Sequence, residues 1–302
     1  MATKVARALL VLTLATAAAH AQPRPAPAPL VPHATQGTVY DDRDGNGRRD
    51  PGEPGIAGVV VSNQDEVTRT DAGGAYRMGA TGFGAVFVSV PQGYRATGPF
   101  WRRADAAGSV DFGLQAAVEP SPFVFALASD THLSEASVPR TRRLRAIVDS
   151  AAPALLLVTG DLVKDALRVG EAEAAGYYAL VATEFGAFRT PLFTVPGNHE
   201  NFGIERDQSH VPVTHPLYGR AMYRAYRGPD YYSFNAGGVH FVGLNSVDIA
   251  DLWYYGHVDS LQLAWLRRDL AMVPEGTPVV TFNHIPFYSV SEELGGYSDT
   301  PP

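Results

Sequence analysis

Between residues 123 and 284, four short apolar runs each end in Asp, Asn or His, and this arrangement constrains the fold more than any other feature of the chain. The apolar runs have the length and composition of strands, and helix-like stretches separate them along the sequence. Strands that alternate with helices predict an α/β layered domain, in which functional loops lie at the carboxyl ends of the strands. We therefore expect the polar side chains that follow the four strands to meet in one layer of loops, namely Asp130, His132, Asp161, Asn198, His199 and His284.

The residue types in these loops are those of a metal site. Asp130 and His132 are two residues apart, and such residues point to the same side of an extended chain, so both can face one ion. Gly160 and Gly197 leave room for tight turns beside these residues. The chain has no cysteine, which excludes thiol catalysis, thiolate ligands and disulfides. Oxygen and imidazole ligands suit Mn, Fe, Zn, Ni or Co, and the sequence does not choose among these metals.

The motifs at the strand ends are Asp130-x-His132, Gly160-Asp161, Gly197-Asn198-His199-Glu200 and a later His284. In this order they resemble those of the calcineurin-like metallophosphoesterases, and the resemblance covers residues 123–302. It implies a four-layer αββα sandwich with two divalent metal ions at the strand ends. It also implies that the protein hydrolyses phosphate mono- or diesters by attack of a hydroxide shared between the two ions.

The resemblance also implies a role for each residue. Asp130 and His132 would hold the first metal ion, and Asp161 would bridge both ions. Asn198 and His284 would hold the second ion. His199 would lie outside the coordination sphere and either donate a proton to the leaving oxygen or bind the phosphoryl charge.

One motif of the family does not follow His284. The family closes its site with a Gly-His-x-His segment, whereas this sequence ends at Pro302, so we expect the phosphoesterase domain to lack its C-terminal end. His257 follows a glycine but precedes His284, and we expect it to lie in a loop rather than to bind a metal. The alternative function is a binding or surface protein whose phosphoesterase domain has become degenerate. The loop Asn201–Arg227, which carries Tyr and His, is the segment expected to contact the substrate if its aromatic rings stack on a base or sugar, and the alternative is a plain surface loop.

The N-terminal part of the chain divides into three segments. Lys4 and Arg7 precede an apolar run that ends near Ala21, a pattern typical of a signal peptide over residues 1–21. Residues 22–32 are rich in proline and predict an extended linker. Residues 33–118 contain short β-rich runs separated by Gly, Pro, Asn and Asp, which predict a small β-sandwich ahead of a phosphoesterase domain over 119–302. The sequence thus predicts an exported protein, either periplasmic or extracellular.

A second ion is predicted in the β-sandwich. The spacing of oxygen-bearing residues fits a calcium loop with ligands at positions 1, 3, 5, 7, 9 and 12, here Asp42, Asp44, Asn46, Arg48 through its carbonyl, Asp50 and Glu53. Strand-like segments flank the loop, so an EF-hand is not expected. The alternative is a metal-free turn, because Asp, Asn and Gly are also common in plain turns.

Charge and hydropathy bound the possible partners. The chain carries 24 Lys and Arg against 31 Asp and Glu, a net charge of −7. This balance argues against a general nucleic-acid binder, which needs a basic face to neutralise phosphates. Apart from the N-terminal run, which is about half the ~20 residues needed to span a bilayer, no apolar segment approaches that length, so no transmembrane anchor is expected. The expected partner is a phosphate-ester substrate.

Overall fold

The computed structural model of the protein describes residues 26–104 and 109–288. The predicted signal peptide and residues 22–25 of the predicted linker lie outside these ranges. Residues 26–32 form no helix or strand, and the guanidinium of Arg103 donates hydrogen bonds to the backbone carbonyls of Ala28 at 2.8 Å and Pro29 at 3.3 Å. This part of the proline-rich segment therefore lies against the following β-rich region.

The N-terminal region contains two four-stranded sheets. One sheet has the order β4-β1-β8-β6 and the other β3-β2-β5-β7, and all neighbouring strands are antiparallel except β1 and β8. The strands are β1 (Thr35–Asp41), β2 (Val60–Ser62), β3 (Val67–Arg69), β4 (Ala75–Met78), β5 (Ala85–Ser89), β6 (Tyr94–Ala96), β7 (Trp101–Arg103) and β8 (Phe112–Ala116). Valine and aromatic side chains from both sheets are buried between them, which confirms the predicted β-rich N-terminal region.

The second region alternates strands and helices. Its strands are β9 (Phe125–Ala128), β10 (Leu155–Thr159), β11 (Leu192–Val195), β12 (Tyr232–Ala236), β13 (Val239–Gly243), β14 (Val247–Ala250), β15 (Trp253–Gly256) and β16 (Val279–Phe282). Its helices are α1 (Val138–Ala151), α2 (Glu171–Phe185), α3 (Arg206–Ser209), α4 (Arg220–Arg227) and α5 (Ser260–Leu270), with a short 3-10 helix at Glu135–Ser137.

Two layers of strands, one parallel and one mixed, place the functional loops. β9, β10 and β11 form a parallel sheet with β10 in the middle, while β13 pairs antiparallel with β12 and parallel with β16. The predicted α/β fold with a four-layer phosphoesterase domain is confirmed. Because parallel strands end at the same edge of a sheet, the loops after β9, β10 and β11 lie together. The loops after β13 and β16 likewise share one edge.

The start of helix α5 carries two adjacent residues that could cap it. Asp259 is the N-cap, and Ser260 is the first residue of the helix. The Asp259 carboxylate accepts a hydrogen bond from the backbone N–H of Gln262 at 2.9 Å. Aspartate and serine are both good N-cap residues, so composition alone does not distinguish these adjacent candidates.

The β-sandwich and the phosphoesterase domain share one hydrophobic core. Phe87 of β5 is fully buried, and its ring lies 6.4 Å from that of Tyr232 and 6.3 Å from that of Trp265, centroid to centroid. The Trp265 indole N–H donates to the Ser62 hydroxyl at 3.0 Å. Burying aromatic rings of this size contributes about 1.5–3 kcal/mol each, so the two regions stabilise each other.

Among the described residues, helices are too short or too polar to cross a membrane.

Candidate metal centre

The loops after four strands bring all six predicted side chains together. The loop after β9 carries Asp130 and His132, and those after β10, β11 and β16 carry Asp161, Asn198 with His199, and His284 respectively. Backbone hydrogen bonds join the first two loops, from Asp130 N to Gly160 O at 3.1 Å and from His132 N to Asp161 O at 2.8 Å. The predicted convergence of the strand-end residues is therefore what the structure contains.

Asp161 is the centre of the cluster. Its ligand atoms lie within 4.8 Å of those of His132 and His199 in one group, and of those of Asp130 and His284 in a second group. His132 Nε2 is 3.5 Å from Asp161 Oδ2, and His284 Nε2 is 3.5 Å from Asp161 Oδ1. Each carboxylate oxygen of one buried residue thus faces a different imidazole, which is the arrangement expected of a carboxylate shared by two cations.

The hydrogen bonds of His284 leave its second nitrogen without a proton to share. Its Nδ1 lies 2.8 Å from the carbonyl of Thr159, which can only accept, so Nδ1 carries the proton in the neutral ring. The unprotonated Nε2 then lies 3.0 Å from the side-chain oxygen of Asn198. In this arrangement the lone pairs of His284 Nε2 and of the Asn198 oxygen face each other with no proton between them, which favours a bound cation. Metal-bound histidines usually donate their other N–H to a carbonyl or carboxylate, as His284 Nδ1 does to Thr159.

His199 and His132 are oriented in the same manner. His199 Nδ1 lies 2.7 Å from the carbonyl oxygen of Lys164, and the Nε2 of each ring points toward Asp161. The two rings meet edge to face with their centroids 4.5 Å apart. The donor set consists of imidazole nitrogens, carboxylates and one amide oxygen, and it fits divalent transition metals.

Three of the candidate ligands adopt strained backbone conformations. The φ angles are 55° at Asp130, 40° at His132 and 51° at Asp161, all in the left-handed region that non-glycine residues rarely occupy. Each such residue costs about 1–3 kcal/mol, and the surrounding structure must hold it in place. Because the strain falls on three residues of one cluster, the fold gives up some stability there in order to hold these side chains in position.

Gly160 and Gly197 are required by close contacts around Asp161. A side-chain carbon added at Gly197 would lie 2.2 Å from the Asp161 carboxylate oxygen, and one at Gly160 would lie 2.8 Å from His284 Nδ1. Gly160 also has a φ of 86°, which suits glycine. These two glycines therefore provide the space in which the predicted ligands approach one another.

Glu200 is a functional residue to which the sequence analysis assigned no role. Its buried carboxylate accepts four backbone N–H bonds, from Asp161 at 2.9 Å, Leu162 at 2.8 Å, Val163 at 3.0 Å and Gly197 at 2.6 Å. Burial and the nearby Asp161 carboxylate raise the pKa of Glu200, while the N–H donors favour its charged form. The sequence signal that could have indicated this role is the position of Glu200 directly after His199, in a loop that must pack against another loop.

The centre is open on one side. The side chains of Asp130 and His132 are 55% and 34% exposed, whereas that of Asp161 is 5% exposed. A substrate can therefore approach from the loop that follows β9, while Asp161 stays shielded beneath it.

Other histidines have separate partners. His257 Nδ1 lies 2.8 Å from an Asp248 carboxylate oxygen, at the surface, consistent with the loop position expected for it. His240 is buried, and its Nε2 lies 2.8 Å from Asp269 in the interior beneath α5. Neither residue belongs to the cluster around Asp161.

The predicted calcium loop is compact but held by its own hydrogen bonds. Ligand atoms of Asp42, Asp44 and Glu53 lie within 4.8 Å of one another. The buried Asp42 carboxylate accepts backbone N–H bonds within the loop, including one from Gly47 at 2.8 Å, and Glu53 accepts one from Asp50 at 2.9 Å. The Asn46 amide donates to Asp44 and Asp50.

Comparisons with known proteins identify the family of the chain. A crystal structure of a dimetal phosphatase from Danio rerio is similar to the chain, with 16% sequence identity, a TM-score of 0.38, and coverage of 55% of this chain and 70% of that one. No curated protein gave a significant match. The family model for the calcineurin-like phosphoesterases matches residues 123–300, which is more than half of the chain. The chain therefore belongs to the calcineurin-like phosphoesterase family.

Proposed function

We propose that the protein hydrolyses phosphate mono- or diesters with two divalent metal ions bound around Asp161. The observation that carries this proposal is that Asp161 is shared by two groups of candidate ligands, with the Nε2 of His284 at 3.0 Å from the side-chain oxygen of Asn198. Asp130, His132, Asn198 and His284 are the other proposed ligands. Divalent ions bound there supply positive charge that stabilises the transferred phosphoryl group and allow water to act as the nucleophile at neutral pH.

The protein residues position these groups before substrate arrives. The Asp161 carboxylate lies between the two ligand groups, where its negative charge would offset the repulsion between two bound cations. Glu200 holds the backbone of the Asp161 loop and of Gly197, so the ligands need little rearrangement on binding.

His199 is the proposed acid or phosphoryl-binding group. Its Nδ1 donates to the Lys164 carbonyl at 2.7 Å, which fixes the ring and leaves Nε2 at 3.9 Å from Asp161 Oδ2, within the cluster of candidate ligands. A proton on Nε2 can be given to the leaving oxygen or can bind the charged phosphoryl oxygens.

The variant Asp161→Asn tests this function directly. Wild type loaded in turn with Mn, Fe, Zn, Ni or Co is expected to hydrolyse p-nitrophenyl phosphate or its bis-ester, and to bind close to two ions per chain by calorimetry. Asp161→Asn is expected to lose metal binding and turnover together, whereas the exposed Asp207→Asn keeps both. Two bound ions without hydrolysis of any ester would favour the alternative, a binding protein with a degenerate site, and a chain that binds no ion would overturn the proposal.

Export is part of the same proposal. The basic and apolar segments before Ala21 support a cleaved signal peptide. Expression of the whole chain in a bacterial host is expected to yield periplasmic or secreted protein that begins at Gln22, as read by mass spectrometry. Protein that stays in the cytoplasm and still begins at Met1 would contradict export.

We also propose that the loop Asp42–Glu53 binds calcium. The ligand spacing and the grouping of Asp42, Asp44 and Glu53 support it. Calcium added to the metal-free chain is expected to raise its melting temperature, and the Asp44→Asn variant is expected to lose that increase. Because the sandwich shares a core with the second domain, the whole chain is the appropriate sample. An equal calcium effect in wild type and variant would show that this loop is a plain turn.

A further inference from the structure

The hairpin of β14 and β15 lies at the same edge of the fold as the metal centre. It follows β13, which runs parallel to β16, so the hairpin and His284 both emerge at the carboxyl ends of neighbouring strands. The Ser246 hydroxyl accepts the backbone N–H of Ile285 at 2.8 Å, and this bond ties the start of the hairpin to the residue after His284.

This hairpin presents stacked aromatic rings. The rings of Trp253 and Tyr254 are nearly parallel, with an interplanar angle of 15° and centroids 5.2 Å apart. Trp253 is 57% exposed, an unusual state for the largest apolar side chain. Tyr254 is half-buried, and its desolvation together with the charge of Asp161 raises the pKa of its hydroxyl. The ring pair therefore belongs to a hairpin that emerges at the same edge of the fold as the metal centre, and the Trp253 ring is accessible to solvent.

Charged contacts hold the hairpin in place. The guanidinium of Arg220 bonds Asp248 at 2.7 Å and Asp259 at 2.9 Å, joining β14 to the start of α5. At the other end of the hairpin, Arg206 donates to the backbone carbonyl of Asp251 at 3.0 Å. A surface held in this way loses little conformational entropy when a ligand stacks on it.

The loop expected to contact substrate is less suited to stacking. Tyr223 is 1% exposed, and its hydroxyl lies 3.0 Å from the Thr194 hydroxyl. Tyr226 stacks on the buried Tyr178, with centroids 4.8 Å apart. These aromatic side chains of Asn201–Arg227 face the protein interior, whereas Trp253 does not.

We propose that Trp253 is a specificity-determining residue that stacks on a planar aromatic ring in the leaving group of the ester, as a nucleobase is placed in a nucleoside phosphate. This inference rests on the proposed hydrolysis at the metal centre. A ring bound there would extend the Tyr254–Trp253 stack, and stacking is tolerant of the identity of the ring because every base has a π-face.

Two substrates with the same reacting bond test the inference. Adenosine 5′-monophosphate and ribose 5-phosphate both release a primary ribose alcohol and differ only in the base. For the metal-loaded wild type, we expect kcat/KM to be about tenfold or more higher for the nucleotide. Trp253→Leu is expected to remove that preference while ribose 5-phosphate is hydrolysed within about twofold of wild type, and Trp253→Phe is expected to restore most of it. Leu261→Ala removes an exposed apolar side chain from α5 and serves as the control.

A binding measurement separates this inference from the proposed hydrolysis. The methylene phosphonate analogue of adenosine monophosphate resists hydrolysis and is expected to quench tryptophan fluorescence in wild type but not in Trp253→Phe. Trp265 is buried and Trp101 is half-buried, and both remain in Trp253→Phe, so quenching that is lost in this variant reports on Trp253. Hydrolysis of both esters at equal kcat/KM, with no quenching, would overturn the role of Trp253 and leave the hydrolase intact. Absence of metal-dependent hydrolysis of every ester would instead overturn the proposed function, and quenching that persists in Trp253→Phe would place the base elsewhere.

Discussion

The Glu200 carboxylate accepts the backbone N–H of Asp161 at 2.9 Å, and this bond joins the loops after β10 and β11 beneath the metal centre. The second oxygen of Glu200 accepts the next two N–H groups of the Asp161 loop, at Leu162 and Val163. A single buried side chain therefore satisfies donors that would otherwise be unpaired. It also fixes the carboxylate that the two groups of candidate ligands share.

Glu200→Gln is expected to destabilise the protein by about 2–4 kcal/mol, because the new amide group points N–H donors at backbone N–H donors in a buried site. Metal affinity is expected to fall with it, since the Asp161 loop loses its support. Urea unfolding and calorimetric metal titration measure the two effects. Glu173→Gln, at an exposed position on α2, is the control. Unchanged stability of Glu200→Gln would mean that the four hydrogen bonds are not needed.

Gly197→Ala is expected to weaken metal binding by about tenfold or more, because the new carbon would lie 2.2 Å from the Asp161 carboxylate and must displace it. Gly176→Ala is the matched control, since no atom lies within 4 Å of the added carbon. Alanine in the middle of α2 is expected to stabilise the chain by about 0.5–1 kcal/mol. Competition with a coloured chelator measures metal affinity, and equal affinities in the two variants would contradict this account of Gly197.

His199→Ala is expected to lower kcat for alkyl phosphate esters by about 10²–10⁴-fold, the usual contribution of a positioned acid. Metal content is expected to stay at the wild-type value, because His199 is proposed to act outside the coordination sphere. Elemental analysis of the purified variant measures metal content beside the kinetics. Loss of one ion per chain would show that His199 is a ligand, and full turnover would show that it has no role in the reaction.

The stability of the protein is expected to depend on Asp230 at acid pH. Burial alone raises the pKa of Asp230, but the charge and hydrogen bond of Arg224, aided by Arg220 and Gln64, lower it from 3.8 to about 2. A group with a lowered pKa in the folded state stabilises that state above its unfolded pKa, and this contribution is lost as pH falls from about 4 toward 2. The shift corresponds to about 2 kcal/mol.

Asp230→Asn tests this dependence. At pH 7 the variant is expected to lose about 3–5 kcal/mol, because Arg224 keeps a largely buried charge without its partner. The difference from wild type is expected to shrink toward pH 2.5, where Asp230 is largely protonated in the unfolded state and begins to be protonated in the folded state. Urea unfolding of the metal-free proteins measures this difference in stability. Asp65→Asn is the control, because Asp65 pairs with Arg268 at an exposed site, and it is expected to change stability by less than about 1 kcal/mol. A pH-independent difference would rule out this linkage.

Several features of the site were predictable because they depend on local order along the chain. The polar residues after β9, β10, β11 and β16 were predicted to converge, and they do, since parallel strands end at one edge. The role of Glu200 was not predicted, because it depends on which backbone N–H groups a neighbouring loop brings within reach. The aromatic hairpin was missed for a similar reason, as exposure is decided by packing.

The sequence by itself determined the family of the protein and the residues that gather at its centre. Candidate ligands are recognised by the types of their side chains and by their order along the chain, and both can be read from the motifs between Asp130 and His284. Only the tertiary structure decided that the N-terminal sandwich shares a core with the phosphoesterase domain through Phe87 and Trp265. It alone buried Tyr223 and left Trp253 accessible to solvent. These outcomes depend on contacts between residues far apart in the chain, which no local pattern records.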